Sequence, residues 1–235
     1  MRVISLVPSW TETLIEAGVN VVGRTRFCIH PEQKIQNIAV IGGTKKIDIK
    51  KIKELKPDLI ILDQEENTLE IVQILELHGL KWFATHVTDV RSCSTGLLDL
   101  SNQIDSNQML KQWSIDYLKI TKNLILDLDL KNLNLKNISY VIWKNPWMCV
   151  GADTFIGDIL TYFQIQLITQ AKKYFEISEN ELKKTYCLFS TEPYPFAKEI
   201  EKLKKNEFHG QLIDGENISW FGIRNLNFMK SFSNN

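Results

Sequence analysis

The sequence has 235 residues, of which 44% are hydrophobic and 24% charged, as is usual for a globular protein with one large or two small domains. Its 28 basic and 28 acidic residues balance, which gives no electrostatic support for nucleic-acid binding, and no stretch approaches the about 20 apolar residues of a membrane span. The four cysteines form no CxxC pair and no leader is visible, so the expected location is the cytoplasm, or the periplasm if a leader was removed.

The N-terminal stretch predicts a strand, a tight loop and a helix. An apolar run favours the strand, and Pro8 ends it because proline cannot donate a hydrogen bond to a sheet. Ser9 or Thr11 can then cap the helix, which ends at Gly18. Ligands of open α/β sheets bind at such loops. The candidate ligand contacts here are Pro8, Ser9, Thr11 and Trp10, whose indole is expected to face the crevice.

Strand and helix patterns then alternate through about the first 90 residues, which is typical of a parallel sheet with crossover helices. The loops between them supply further candidate ligand contacts: Arg26, Lys45, Glu65, Glu66 and Asn67. Cys28 and His30 lie two residues apart and are candidates for contact with a metal. They are weak candidates, because no second Cys or His lies nearby and two ligands do not make a closed site. A hydrogen-bonded loop histidine is the favoured interpretation of His30.

A long helix is predicted in the middle of the chain. Leu110, Trp113, Tyr117, Ile120 and Leu124 recur at spacings of three and four, and neither proline nor glycine interrupts residues 97–135. A helix of about 20 residues would span about 30 Å and could act as a rigid strut. The predicted organisation is an N-terminal α/β lobe over 1–92, a linking region with this backbone helix over 93–136, and a C-terminal α/β lobe over 137–235.

Loops of the C-terminal lobe supply the remaining candidates: Trp143, Trp147, Glu192, Tyr194, Phe196, Trp220 and Arg224. Aromatic side chains in loops suit a broad, flat, partly apolar ligand such as a corrin, or they fill a core between the lobes. The loop cations Arg24, Arg26, Lys45, Lys144 and Arg224 can bind carboxylate or phosphate groups of a ligand. Pairing with Glu12, Glu65, Glu66, Glu192 or Asp214 is the alternative.

Several motifs together resemble one known superfamily. They are Leu6–Thr13, Gly23–Pro31, Gly42–Lys45, Leu55–Ile60 and Glu65–Asn67, followed by Trp143–Trp147, Ser190–Phe196, Asp214–Glu216 and Ser219–Arg224. In order and spacing they are similar to the helical-backbone metal receptors, the class III substrate-binding proteins. Within that superfamily the chain resembles a leaderless branch.

The resemblance implies a fold and a function. It implies two small α/β lobes with mainly parallel sheets, joined by one long backbone helix, and a ligand cleft between the lobes. It also implies a substrate-binding protein, not an enzyme, that holds cobalamin or another corrinoid, haem or an iron–siderophore complex for an ABC importer. No intrinsic cofactor is expected. Glu70 and Glu179 are the nearest candidates for docking onto a permease.

Two other functions remain open from the residues themselves. One is a cytoplasmic enzyme or trafficking factor that acts on a corrinoid or other metal chelate. The other is an interaction module that binds a protein segment. Ser9, Glu12, Cys28 and His30 provide catalytic residue types, but no catalytic signature such as GxSxG is present.

Overall fold

A computed structural model describes residues 1–126, 137–168 and 172–233 of the protein. The chain divides into two compact units. The first unit comprises Met1–Val87, Arg91–Lys119 and Phe221–Leu226. The second comprises Thr88–Val90 together with the described parts of Ile120–Trp220 and Asn227–Asn235. This division assigns residues 221–226 to the first unit, whereas the boundaries predicted at 92/93 and 136/137 stay predictions.

The first unit contains a five-stranded sheet in the order β3-β2-β1-β4-β5, with every pair parallel. Its strands are β1 (Val3–Ser5), β2 (Val21–Arg24), β3 (Ala39–Val40), β4 (Leu59–Asp63) and β5 (Trp82–Thr85). The helices between them are α1 (Pro8–Glu16), α2 (Glu32–Ile35), α3 (Ile49–Glu54) and α4 (Leu69–Leu77). Every residue of β1 and β4 is buried, as expected for central strands of a parallel sheet covered on both faces.

The second unit contains another five-stranded sheet, in the order β10-β9-β6-β7-β8. Its strands are β6 (Ile138–Trp143), β7 (Met148–Val150), β8 (Tyr174–Glu176), β9 (Tyr186–Ser190) and β10 (His209–Ile213). Strands β6, β9 and β10 are parallel, whereas β7 runs antiparallel to both of its neighbours. Its helices are α7 (Phe155–Tyr162), α8 (Glu179–Leu182), a 3₁₀ turn (Phe196–Lys198), α9 (Ile200–Lys205) and α10 (Gly215–Ser219). One all-parallel and one mixed sheet, with helices between the strands, confirm the predicted α/β class.

The helical region after β5 differs from the single strut that the sequence predicts. Two helices occupy it, α5 (Val90–Gln103) and α6 (Gln108–Lys119), and the last helix of the chain is α11 (Ile223–Ser231). Helix α6 has 12 residues and ends before Ile120 and Leu124. The part of the prediction that falls on residues 127–136 lies outside the described residues. Among the described helices, none is both long and apolar enough to cross a bilayer.

A buried contact joins α6 to residues 221–226 within the first unit. The Tyr117 hydroxyl donates to the Gly222 carbonyl at 2.8 Å and lies 3.1 Å from the Gly222 N–H. Gly222 has a φ of 91°, and a Cβ added there would lie 2.2 Å from Thr13 Oγ1. The same hydroxyl of Thr13 accepts from the N–H of Ile223 at 3.1 Å. A larger residue at this position would therefore displace the Thr13 side chain and break its hydrogen bond to Ile223.

Gly222→Ala is expected to lower the free energy of unfolding by about 1–3 kcal/mol, because the new methyl group meets Thr13 and the backbone is left-handed. Gly18→Ala is the matched control, since Gly18 has a φ of 75° but no atom within 4 Å of an added Cβ. Denaturant unfolding of both variants measures the difference. Equal destabilisation at the two positions would show that the Thr13 contact costs nothing.

Candidate functional site

The loops after the strands of the first sheet gather most of the N-terminal candidates. All five strands are parallel, so their carboxyl ends lie along one edge, which is where ligands of open α/β sheets bind. We call residues 6–8, 25–31, 41–48, 64–68 and 86–87 the first carboxyl edge. It contains these candidates from the sequence: Pro8, Arg26, Lys45, Glu65, Glu66 and Asn67.

A pocket of about 400 Å³ lies at this edge, after β2 and β3. Its lining consists of Arg26, Phe27 and residues 42–48. The Arg26 guanidinium stacks on Phe27, with Cζ 4.8 Å from the ring centroid. Phe27 is 47% exposed and was not singled out from the sequence. A phenylalanine next to an arginine, in the loop after a predicted strand, was the signal available in the sequence.

Asn67 holds this edge together rather than presenting its amide to a ligand. Its Nδ2 donates to the carbonyls of Leu6 at 3.3 Å and Thr44 at 2.9 Å. Its Oδ1 accepts from the N–H of Asp63 at 3.0 Å. One side chain thus ties together the segments that follow β1, β3 and β4, so we interpret Asn67 as a positioning residue.

Asp63 is a buried carboxylate at the end of β4 that the sequence analysis missed. Its Oδ2 accepts from Thr85 Oγ1 at 2.6 Å and from the N–H of Val87 at 3.2 Å, and its Oδ1 accepts from the N–H of Glu65 at 2.9 Å. Burial raises the pKa of this carboxyl, against the opposing effect of these hydrogen bonds. Asp63 therefore fixes how the loops after β4 and β5 leave the sheet.

Trp10 lies in helix α1 and not in a loop, which corrects the prediction for this residue. Its side chain is fully buried, and its Nε1 donates to Thr85 Oγ1 at 2.8 Å. Its ring meets Phe221 in a T-shaped arrangement with centroids 4.8 Å apart. Both partners belong to the first unit. Trp10 is thus a core residue here and offers no surface to a ligand.

The predicted helix cap is also wrong. Helix α1 begins at Pro8, its N-cap is Val7, and no side chain caps it. Ser9 and Thr11 lie inside the helix and are buried, and Thr11 Oγ1 donates to the Val7 carbonyl at 2.8 Å. Their hydroxyl-bearing side chains are therefore in the protein interior rather than at an exposed loop.

The loops of the second unit form a comparable edge. Strands β6, β9 and β10 end on the same side, and β8 is parallel to them through β7. We call residues 143–147, 177–179, 191–196 and 214–220 the second carboxyl edge. Trp143 is 40% exposed and meets Tyr194 in a T-shaped contact with centroids 5.5 Å apart. These two rings form an aromatic surface at the second carboxyl edge.

A charged network supports this aromatic pair. The Tyr194 hydroxyl donates to Glu199 Oε1, and the Lys144 ammonium donates to Glu199 Oε2. The Lys144 Nζ atom also lies 5.5 Å from the Trp147 ring centroid. The Lys144 ammonium lowers the pKa of Glu199, and the Glu199 carboxylate raises the pKa of Tyr194. Lys144 thus pairs inside the second unit, as the alternative interpretation allowed, although Glu199 was not among the partners considered.

Trp147 and Phe196 pack inside the second unit. Their rings are nearly parallel, with centroids 6.2 Å apart and an angle of 4° between planes. Trp147 is 8% exposed and Phe196 is fully buried. Phe208 and Phe189 complete this aromatic core. Both candidate residues are therefore better explained as the support beneath Trp143 and Tyr194 than as ligand contacts.

Glu192 has its own partners at the second carboxyl edge. Its Oε1 accepts from Ser219 Oγ at 2.7 Å and from Trp220 Nε1 at 3.2 Å. The indole N–H of Trp220 therefore bonds within the second unit. Burial raises the pKa of the Glu192 carboxyl, and the nearby carboxylates of Glu216 and Asp214 raise it further. Glu192 thus orders residues 214–220.

Glu192→Gln is expected to change how stability depends on pH. Because the folded-state pKa is raised, Glu192 contributes stability below the ordinary glutamate pKa of about 4.3, and this contribution is lost as the pH rises through the folded-state pKa. The variant cannot ionise, so it should lose less stability than the wild type between about pH 4 and pH 7. Urea unfolding at both pH values measures this difference. Glu32→Gln, at an exposed glutamate, is the control, and identical pH profiles for all three proteins would contradict the prediction.

Arg224 lies in the first unit, not with the second-lobe candidates. Its guanidinium donates to both carboxylate oxygens of Glu12, at 2.8 and 2.9 Å. Both side chains are mostly buried, with 19% and 12% of their surfaces exposed. In such a bidentate pair, the two side chains neutralise each other's charge. The alternative prediction, pairing with Glu12, is therefore confirmed for Arg224.

The weak metal candidates are not arranged as a metal site. Cys28 is fully buried, and its Sγ lies 3.1 Å from the hydroxyl oxygens of both Thr11 and Thr25. Burial raises the pKa of this thiol, which keeps it protonated and a poor metal ligand. His30 is half-buried in the loop after β2. In the described part of the chain, no three His, Cys, Asp or Glu side chains are grouped so that they could hold a metal ion.

Comparison with solved structures relates this arrangement to known proteins. The periplasmic vitamin B12-binding protein of Vibrio cholerae matches 98% of this chain and 94% of its own, with a TM-score of 0.74 and 16% identity. A periplasmic haem-binding protein from Roseiflexus matches 98% and 95%, with a TM-score of 0.78 and 13% identity. The chain has the fold of the class III substrate-binding proteins. A protein of Staphylococcus epidermidis described as iron-binding and periplasmic solute-binding agrees, with a TM-score of 0.75, 19% identity and coverage of 98% and 96%.

Sequence comparison also finds similarity to vitamin B12-binding proteins, but over a shorter region. Vitamin B12-binding proteins from two strains of Vibrio vulnificus are 29% and 28% identical to this chain over 118 residues. The match covers 49% of the chain, and the chain spans less than half the length of these curated relatives, 43% in each. No protein-family model matches the sequence. The resemblance found in the motifs is therefore confirmed at the level of the class III fold.

Proposed function

We propose that the protein is a substrate-binding protein, without catalytic activity of its own, that holds a corrinoid or a related metal chelate. The single observation that carries this proposal is the shared fold, which extends over 98% of the chain to periplasmic proteins that bind vitamin B12 and haem. The sequence match to vitamin B12-binding proteins favours a corrinoid among these ligands.

The chemistry of the two carboxyl edges supports the same function. The exposed Trp143 ring and its neighbour Tyr194 suit the face of a large, flat, partly apolar ligand. Arg26 and Phe27 offer a cation and an apolar surface beside a pocket. The buried Trp147 ring lies beneath the aromatic pair, and the half-buried Asn67 ties the Leu6 and Thr44 segments of the first edge together, so the edges are largely preformed. The ligand cleft between the lobes, implied by the resemblance, stays a prediction.

Retention of a coloured ligand tests this function. The protein is incubated separately with cyanocobalamin, haem and ferric siderophores, desalted, and its absorbance spectrum recorded. Retention of at least one chromophore in stoichiometric amount is the expected result, with cyanocobalamin the first candidate. Loss of every chromophore on desalting would refute the proposal, and mass spectrometry of the released ligand would reveal any turnover.

An ABC permease is the proposed partner, and the periplasm is then the expected location, as for the periplasmic neighbours. The cytoplasmic location stays a prediction from the sequence alone. Glu70 and Glu179 are both exposed, and each lies in the first turn of a helix, α4 and α8 respectively. Their carboxylates are thus accessible to a cationic partner surface. Charge reversal at both positions would abolish permease-dependent uptake of the chelate without changing its binding if they dock the permease.

A further inference from the structure

We infer that the pocket formed by Arg26, Phe27 and residues 42–48 binds an oxyanion, a carboxylate or phosphate group carried by the ligand. This inference rests on the proposed function for the identity of the larger ligand, but the pocket itself can be tested without it. The relevant group is a peripheral substituent of a chelate, because about 400 Å³ lies near the lower end of the about 300–1,000 Å³ typical of small-molecule pockets.

The charge of the pocket lining is the first observation. Three cationic side chains line it, those of Arg26, Lys45 and Lys46, against one carboxylate, that of Asp48. Asp48 accepts from the N–H of Lys51 at 3.1 Å and caps α3. Within the described ranges, no carboxylate forms an ion pair with any of the three cations. A chain with no net charge therefore concentrates unpaired positive charge at one pocket of its ligand-binding edge.

The geometry of Arg26 is the second observation. Its guanidinium lies against the Phe27 ring, and stacking of this kind leaves the N–H groups to donate outward in the guanidinium plane. Gly43 approaches the same pair, since a Cβ added to Gly43 would lie 3.3 Å from Phe27 Cε2 and 3.6 Å from Arg26 Nη2. Arg26 is exposed, and the Phe27 ring and Gly43 lie next to its guanidinium.

The two features together select a class of ligand. The planar guanidinium of an arginine forms two parallel hydrogen bonds with a carboxylate or phosphate, and the lysine ammonium groups add charge without strict geometry. The exposed Phe27 ring suits the apolar skeleton next to that group. Haem offers such carboxylates in its propionates, and cobalamin offers a phosphate in its nucleotide loop. Chelates without an oxyanion should bind more weakly.

The first experiment examines the pocket alone. Backbone amide shifts of residues 42–48 are followed by NMR while citrate or inorganic phosphate is added to the wild type and to R26Q/K45Q. Both replaced side chains are exposed, so the variant is expected to stay folded. Saturable shifts in the wild type, at least tenfold weaker in the variant, are expected. K81Q/K111Q removes the same charge at exposed positions away from the pocket and should behave as the wild type. Unmoved amides, or equal titrations of wild type and R26Q/K45Q, would overturn the inference.

The second experiment links the pocket to the chelate. Affinities for haem and haem dimethyl ester, and for cyanocobalamin and dicyanocobinamide, are compared in the same proteins. The R26Q/K45Q change should weaken binding of the ligand that carries the oxyanion, haem or cyanocobalamin, at least tenfold. It should weaken binding of the analogue without the oxyanion, haem dimethyl ester or dicyanocobinamide, less than threefold. A response of the haem pair indicates a carboxylate site, and a response of the cobalamin pair a phosphate site. Chelate binding unaffected by the variant would refute the inference and leave the function standing. Anion binding without chelate binding would do the reverse.

Discussion

Replacing Trp10 with alanine is expected to lower the free energy of unfolding by about 3–5 kcal/mol, the usual cost of emptying a fully buried tryptophan site. The loss combines the packing against Phe221 with the hydrogen bond to Thr85, whose hydroxyl loses its indole partner. Guanidinium unfolding followed by circular dichroism measures it. If the two units unfold separately, the transition of the first unit should shift.

The control for this prediction is Trp143→Ala. Trp143 is 40% exposed, so its removal should change the free energy of unfolding by less than about 1 kcal/mol. Trp10→Phe separates the hydrogen bond from the packing, because it retains most of the ring. If Trp10→Ala left stability unchanged while weakening chelate binding, the burial described here would be wrong, and the ligand contact predicted from the sequence would be right.

Removal of the aromatic pair at the second carboxyl edge should have the largest effect on ligand binding. In the proposed function, Trp143→Ala and Tyr194→Ala each raise the dissociation constant of the retained chelate at least about tenfold, or about 1.4 kcal/mol. The two rings pack edge to face, so their side chains are already ordered before a ligand binds. Little side-chain entropy is therefore lost when a flat ligand covers them. Fluorescence or absorbance titration measures the constants.

Tyr174→Ala is the matched control for these two variants. Tyr174 is 45% exposed, close to the value for Trp143, but it begins β8 and therefore lies at the opposite, amino end of the second sheet. Its removal should leave chelate affinity within about twofold of the wild type, as for a residue outside a binding site. Similar losses for Tyr174→Ala and Trp143→Ala would mean that the second carboxyl edge has no special role.

The sequence predicts the positions of both carboxyl edges well, because they depend on local patterns. Short apolar runs followed by polar loops identify β1, β4 and β6, and parallel pairing places the following loops together. Arg26, Lys45 and Trp143 lie in such loops as expected. Hydrophobic periodicity does not predict which side chains of a loop are buried. The sequence therefore does not distinguish the buried Trp147 and Phe196 from the exposed Trp143.

The error at Trp10 has a local cause. Pro8 was interpreted as the end of a strand, but proline is also favoured at the first position of a helix, where its missing N–H is not needed. Starting the helix there places Trp10, Thr13 and Leu14 together on the buried side. The sequence thus offers two competing helix starts, Pro8 as the first helical residue and Ser9 as a cap, and the structure has the first.

Two other differences have different causes. The predicted long helix begins at Gln108, where Asp105 and Ser106 with positive φ separate it from α5 and Asn107 accepts from the N–H of Leu110 at 3.1 Å, but it ends at Lys119, before Ile120 and Leu124 of the predicted stripe. A Ser-Asn step before an apolar stripe is a helix-start signal that does not require glycine or proline. The pairing of Glu12 with Arg224 joins residues 212 positions apart, and no local pattern carries that information.

Hydrogen exchange with and without bound chelate tests the central claim most directly. The free protein is compared with the protein saturated by whichever of cyanocobalamin, haem or ferric siderophore it retains. The account predicts slower exchange in peptides covering residues 26–30, 42–48 and 64–67 of the first carboxyl edge and 143–147 and 191–196 of the second, with little change elsewhere. Protection confined to the amino ends of the sheets, or none with any of the three chelates, would contradict it.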